Sequence, residues 1–161
     1  MHDDETAFKS FSKALIGLPV MHVWRGHGSA LFLEFGTLRQ HALPDGAVGQ
    51  PMGQMGLMIQ WSWRIEDSRT ILCGSWSDET KWAKFFEKLM HAHVTGVSLF
   101  GRLPEIDVEL SNRMHVVSFS TTEGQPQWAL FLRETGSSMF SKNGALVIET
   151  ASARDHSAVL H

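Results

Sequence analysis

The stretch EIDVEL, residues 105–110, decides the fold class of this 161-residue chain. Apolar and acidic residues alternate along it, and side chains two positions apart in a strand point to the same face. The apolar set is Ile106, Val108 and Leu110, and the acidic set is Glu105, Asp107 and Glu109. Such alternation is typical of an antiparallel strand with one buried and one solvated face. We therefore predict a strand here, with its acidic side exposed.

Strand patterns occur on both sides of this stretch. The further candidates are Val20–Arg25, Ala30–Phe35, Leu57–Glu66, Thr70–Gly74, Val94–Phe100, Arg113–Ser120 and Gln127–Arg133. In SMFSKNGALVIE, residues 138–149, the pair Asn143–Gly144 can adopt the positive φ angles of a type I′ turn and predicts a hairpin. The chain should therefore form mainly antiparallel sheet.

Two segments have helical rather than strand periodicity. Asp4–Ile16 carries an apolar stripe at Phe8, Phe11 and Leu15, and Asp78–Met90 carries a stronger one that begins at Trp82. Ser77 or Asp78 can cap the second helix. We predict an α+β fold with an N-terminal helix and one central amphipathic helix. The sheet is expected to be either curved and barrel-like or split into two packed sheets.

The two halves of the chain have a similar rhythm. Leu15, Val20 and Val23 recur at constant spacing as Leu89, Val94 and Val97, and Gln60–Trp61 is matched by Gln127–Trp128. We predict one domain over 1–161 with half-repeats at 4–76 and 77–150, and an irregular tail at 151–161. Each half would form a helix and a meander of strands, and two such sheets can bury their apolar faces together. Chance similarity is the alternative.

Composition excludes several classes of protein. Apolar residues make up 43% and charged residues 19%, which favours an ordered core. The formal charge is −3 and the basic residues are scattered, so no nucleic-acid partner is expected. No apolar run approaches the ~20 residues of a membrane span. An acidic N-terminus unlike a signal peptide and a lone cysteine, Cys73, favour the cytoplasm.

No motif indicates catalysis or a cofactor. The sequence has no P-loop, H-E-x-x-H, paired C-x-x-C or G-x-S-x-G. His91 and His93 end a predicted helix, where side chains two positions apart diverge. Met52, Met55 and Met58 are soft ligands in principle, but an extended chain points the middle one away from the others. We predict no catalytic residue, no metal ligand and no cofactor.

Two features favour binding instead. The acidic row Glu105, Asp107 and Glu109 can meet a basic partner, although a solvated strand face explains it as well. The Gly36–Gly56 segment is rich in glycine and carries Arg39 and His41. Long loops of this kind are usually functional or disordered. These five residues are the predicted partner-binding site.

The pattern L-I-G-x-x-V-x-x-V at Leu15–Val23, followed by L-x-L-E-F-G at Leu31–Gly36, resembles small bacterial uncharacterised β-rich proteins, some of them immunity proteins of polymorphic toxin systems. The resemblance implies a non-catalytic protein that binds a protein partner, and this is the leading hypothesis. The alternative is a ligand-binding or metal-binding β-barrel, or an unrecognised enzyme. Its cavity would gather Trp61, Trp63, His22 and His115. A homodimer is also conceivable from the sequence.

Overall fold

The structure, a computed structural model, describes residues 2–150 of the chain. It has two α-helices, α1 (His2–Leu15) and α2 (Trp82–Leu89), and a short 3-10 helix at Glu79–Lys81 leads into α2. The strands are β1 (Val20–Arg25), β2 (Leu31–Phe35), β3 (Met55–Ile59), β4 (Trp63–Glu66), β5 (Ile71–Gly74), β6 (Val94–Phe100), β7 (Glu105–Leu110), β8 (His115–Ser118), β9 (Trp128–Leu132), β10 (Ser137–Lys142) and β11 (Ala145–Thr150). The predicted α+β class with both helices is confirmed. Within this part of the chain, no helix has the length and apolar character needed to cross a membrane.

The strands form two antiparallel sheets rather than a closed barrel. One has six strands in the order β1-β2-β3-β9-β10-β11, and the other has five in the order β5-β4-β8-β7-β6. Inward-facing residues of both sheets belong to one apolar core, from Leu33 and Leu57 on one side to Ile65 and Val108 on the other. Of the two predicted topologies, a barrel-like sheet and two packed sheets, the second is therefore correct.

The helices cover the two open sides between the sheets. Helix α1 packs against β6 and β11, which are edge strands of different sheets, and α2 packs against the edge strands β1 and β5. Phe11 and Leu15 of α1, and Trp82 and Leu89 of α2, are buried in the core. The apolar stripes predicted from the sequence are therefore the faces that pack. Asp78 accepts a hydrogen bond from the Thr80 N–H, as predicted for a capping residue, although α2 itself begins later.

The two predicted halves do not form one sheet each. The first half contributes β1–β3 to the six-stranded sheet and β4–β5 to the five-stranded sheet. The second half contributes β6–β8 to the five-stranded sheet and β9–β11 to the six-stranded sheet. Corresponding hydrogen bonds recur across the halves: Gly17 N–H donates to the Val94 carbonyl, and His91 N–H donates to the Val20 carbonyl. A duplicated chain would show such pairs of bonds. The duplication itself stays a prediction.

The prediction of a single strand over 57–66 is wrong. Strand β3 ends at Ile59 and β4 begins at Trp63, in the other sheet. The alternation survives the crossing because both strands direct the same set of side chains into the shared core. Trp61, within the crossing, is 41% exposed rather than buried with its neighbours.

The crossing also shows which tryptophans correspond. The indole N–H of the buried Trp63 donates to the Ser29 carbonyl, and that of the buried Trp128 donates to the Pro104 carbonyl. Under the predicted duplication, Trp128 would therefore correspond to Trp63 rather than to Trp61. The hairpin at Asn143–Gly144 is confirmed, with φ angles of 52° and 79°. The predicted tail at 151–161 lies outside the described residues.

Candidate functional site

The connection between β2 and β3, which we call the cover segment (residues 36–54), folds into a narrow ribbon. Arg39 and Met52 exchange two backbone hydrogen bonds of 2.8 and 3.0 Å. Further along the ribbon, the Leu43 N–H donates to the carbonyl of Ala47 on the opposite arm at 2.8 Å. Asp45 accepts a hydrogen bond from the Ala47 N–H and stabilises the turn between the arms. The expected loop is therefore ordered by its own backbone pairing.

The base of the cover segment is held tightly to the six-stranded sheet at Gly53. A Cβ atom at this position would lie 2.3 Å from the Phe35 carbonyl oxygen, so only glycine allows this approach. The Gly53 N–H donates to Glu34 Oε1 at 2.9 Å, and its carbonyl accepts from Arg133 Nη1 at 3.0 Å. Two charged side chains of the sheet therefore bind the backbone of the segment.

A cavity of about 590 Å³ lies between the cover segment and the sheet face that points away from the core. This volume is in the range of about 300–1,000 Å³ that is typical of sites for small organic ligands. The sheet and the residues next to its strands contribute Trp24, Phe32, Glu34, Met58, Gln60, Phe131, Leu132, Arg133, Gly136 and Ser137 to its lining. The cover segment contributes His41, Leu43, Val48, Gly49, Gln50, Pro51 and Met52. The pocket is thus apolar on most sides, with a few polar groups.

A buried ion pair between Glu34 and Arg133 forms the charged part of this pocket. Arg133 Nη1 lies 2.5 Å from Glu34 Oε1, and Nη2 lies 3.3 Å from Oε2. The Glu34 side chain is 3% exposed and that of Arg133 is 21% exposed. Burial raises the pKa of Glu34 from its ordinary 4.5, while the Arg133 charge, its hydrogen bonds and the Gly53 N–H act in the opposite direction.

The Arg133 side chain fits against the sheet because Gly56 has no side chain. A Cβ at Gly56 would lie 2.6 Å from Arg133 Nη2 and 3.1 Å from its Cζ. Glycine inside a strand often marks such a close approach. The guanidinium therefore lies over the backbone of β3, beside Glu34 on β2.

Aromatic rings form one wall of the pocket. Trp24 and Phe32 stack with their centroids 4.2 Å apart and their planes 12° from parallel. The indole N–H of Trp24 is buried and has no hydrogen-bond partner among the described residues. An unmet buried donor is unfavourable, so a ligand that brought an acceptor to it would gain affinity.

The predicted acidic row lies where the sequence placed it, on the outer face of the five-stranded sheet. Ile106, Val108 and Leu110 point into the core on the opposite side. Each carboxylate has a partner within the chain. The pairs are Glu105 with Ser120, Asp107 with His115, and Glu109 with Thr95. The row is therefore less available to a basic partner than its sequence suggests.

The other two predicted site residues separate. His41 lines the pocket, whereas Arg39 is exposed and contributes its backbone to the ribbon. The alternative cavity set does not converge at all: Trp63 is in the core, Trp61 is exposed, and His22 and His115 lie on the outer faces of different sheets. His22 instead hydrogen-bonds Gln50 of the cover segment at 2.7 Å.

The methionine motif is divided by the sheet. Met52 and Met58 line the pocket, and Met55 is buried in the core. In the described part of the chain, no three His, Cys, Asp or Glu side chains are placed to hold a metal ion. Cys73 is buried, and burial raises the pKa of its thiol.

Sequence reasoning missed the residues that build the pocket, above all Glu34 and Arg133. A glutamate within the otherwise apolar strand LFLEF and a glycine within MGLMI were available as signals. Both are unusual at positions that a cover segment buries. Nothing in the sequence joins these signals to an arginine far along the chain.

The chain was compared with protein-family models, with curated proteins and with solved structures, and none of the three comparisons found a match.

Proposed function

We propose that this protein binds a small, largely apolar organic molecule in the pocket beneath the cover segment. The observation that carries the proposal is the cavity of about 590 Å³ on the outer face of the six-stranded sheet. Small-molecule sites are typically concave, mostly apolar and equipped with few polar groups that orient the ligand. This pocket has that composition, with aromatic and aliphatic walls around one ion pair.

The local construction also supports a binding role. The cover segment is attached through Gly53 and the Glu34–Arg133 pair, so the pocket exists before any ligand arrives. A preformed site avoids the entropic cost of ordering a loop on binding. The stacked Trp24 and Phe32 rings provide a rigid apolar surface for a flat or chain-like molecule.

The experiment is a fluorescence titration with N-phenyl-1-naphthylamine, a neutral apolar probe that brightens in apolar surroundings. We expect saturable binding by the unmodified protein. Met58→Trp adds bulk on the pocket side of β3 and should weaken binding by at least about 10-fold.

The matched control is Ser98→Trp, which places the same side chain at an exposed position of β6 in the other sheet. This variant should bind the probe as the unmodified protein does. If the probe does not bind, or if both variants lose it equally, the pocket proposal is wrong.

A second candidate function is the immunity-type binding of a protein partner. One observation favours it: Trp76 is 92% exposed, and Trp61, also exposed, lies at the same end of the β4–β5 hairpin. Tryptophan is enriched among the residues that dominate protein–protein affinity. For either function we propose a cytoplasmic location, which the lone Cys73 favours.

The partner hypothesis is tested by purification of complexes on the tagged protein. Trp76→Ser should remove a stoichiometric partner that Ile148→Ser, at another exposed apolar position, retains. Combined neutralisation of Glu105, Asp107 and Glu109 tests the acidic row in the same way. A partner that survives all of these changes does not use either surface.

A further inference from the structure

The positive charge of the ion pair is more accessible to a ligand than the negative charge. The Glu34 carboxylate is 3% exposed, whereas the Arg133 side chain is 21% exposed. Among the described residues that line the cavity, Glu34 is the only acid, and His41 is a further basic group. A ligand therefore encounters a guanidinium rather than a carboxylate.

Arg133 has donors to spare in a defined arrangement. Nη1 uses both of its hydrogens, on Glu34 Oε1 and on the Gly53 carbonyl, and Nη2 uses one on Glu34 Oε2. The second hydrogen of Nη2 and the Nε hydrogen have no acceptor among the described residues. These two N–H groups form the side edge of a guanidinium, which matches the two oxygens of a carboxylate.

The ion pair with Glu34 also limits how Arg133 can move. Its guanidinium is confined between the carboxylate, the Gly53 carbonyl and the bare backbone at Gly56. An arginine that is already positioned loses little side-chain entropy when it binds an anion. Beyond it, the pocket continues along Phe131, Met58 and the Trp24–Phe32 stack, which are apolar.

From this arrangement we propose that the ligand is a carboxylate with an apolar body, held by the free side edge of Arg133 while its body lies against the aromatic wall. The inference rests on the proposed function and specifies the ligand class for that pocket. Charge-assisted bidentate hydrogen bonds to arginine are among the stronger polar contacts in proteins. They orient the ligand, and the apolar walls supply most of the buried area.

The test compares three compounds with the same tail: decanoate, 1-decanol and decylamine. Each is titrated against the protein loaded with N-phenyl-1-naphthylamine, and displacement of the probe is measured. We expect decanoate to bind about 10-fold to 100-fold more tightly than decanol, since a hydrogen bond to a charged group contributes that much. Decylamine should be the weakest of the three.

A double variant isolates the ion pair without leaving a single buried charge. Glu34→Gln with Arg133→Met should remove the preference for decanoate over decanol, measured as the ratio of the two affinities within the same variant. The control is Arg64→Met with Glu66→Gln, which removes the ion pair on the outer face of the five-stranded sheet. The control should keep the full preference.

The outcomes separate the two proposals. If the probe binds but decanol or decylamine displaces it as well as decanoate does, or no decyl compound displaces it, the carboxylate inference is overturned and the pocket remains. If the probe itself does not bind, both proposals fail. The comparison of head groups uses the unmodified protein, so it does not depend on the folding of a variant.

Discussion

The outer faces of the two sheets occupy corresponding places in the fold and differ in how they are covered. On one, Glu34 lies opposite His22 and Gly56, and on the other Glu109 lies opposite Gly96 and a histidine, His115. On the neighbouring strand, the pairing register shifts just before the residue that lies opposite each glutamate. Both carboxylates also have a basic partner on the same face, Arg133 or His115.

The difference arises in one connection. β7 joins β8 through residues 111–114, whereas β2 joins β3 through the cover segment at 36–54. The longer connection lies over the aromatic side of its own sheet and over the Glu34–Arg133 pair, in which Glu34 is buried. Among the described residues, none covers the face of the five-stranded sheet in this way, and its charged side chains stay partly exposed. One long connection therefore converts a solvated sheet face into a pocket.

The largest expected effect comes from the removal of this difference. Residues 111–113, Ser-Asn-Arg, separate Leu110 from Met114, whose backbones are hydrogen-bonded. In a variant where Ser-Asn-Arg replaces residues 36–54, the connection between β2 and β3 becomes as short. The variant's circular dichroism should keep the sheet signal, while binding of N-phenyl-1-naphthylamine should fall by at least about 10-fold because the pocket loses one side. Probe binding at full affinity would show that the site lies elsewhere.

The two ion pairs should also differ in their contribution to stability. Arg133→Met leaves the buried Glu34 carboxylate without its partner and should lower the free energy of unfolding by about 3–5 kcal/mol. His115→Asn removes the partner of Asp107, 2.7 Å away, and a longer 3.6 Å contact with Glu109; both carboxylates are partly exposed, so the loss should be about 1 kcal/mol or less. Urea denaturation of both variants measures the difference. Equal losses would mean that the cover segment does not desolvate its ion pair.

Glycines on the two faces provide a smaller contrast. Gly56→Ala places a Cβ 2.6 Å from Arg133 Nη2, and the displaced guanidinium should cost about 1–3 kcal/mol of stability. Gly96→Ala, on β6, meets its nearest atom at an ordinary 3.6 Å and should change stability by about 0.5 kcal/mol or less. Thermal unfolding of the two variants is the measurement, and a harmless Gly56→Ala would argue against the close approach of Arg133.

The smallest effect is a pH dependence from Glu34, whose pKa burial raises above 4.5. The folded state then favours the protonated form, so this contribution to stability is present below pH 4.5 and is lost as the pH rises through the raised pKa. It amounts to no more than about 1.4 kcal/mol per unit of pKa shift. Glu34→Gln should flatten the stability profile in that window, and an unchanged slope would contradict the assignment. Backbone hydrogen bonds lower the pKa values of Asp67 and Asp78 from 3.8, so these two carboxyl groups titrate below the pH window of Glu34.

Local patterns in the sequence predicted most of the elements. The alternation in 105–110 and the strand candidate at 94–100 correspond to β7 and β6 with the same bounds, and the stripe that begins at Trp82 is the buried face of α2. These features depend on residues close together in the chain, because side-chain periodicity and turn geometry are local properties. Fold class therefore followed from the sequence alone.

Strand order, the crossing between sheets and the pocket were decided only by tertiary structure. The alternation in 57–66 continues through a change of sheet, because it records which side chains face the core and not which strand lies alongside. Similarly, the glycine-rich stretch after Gly36 indicated a long functional or disordered loop, but not the sheet face that this segment covers. Glu34 and Arg133 meet because β3 pairs with β9, and pairings so distant in the chain depend on the packing of the whole domain. The acidic alternation of β7 determined one outer sheet face, and the folded chain supplied the covered face that makes the candidate site.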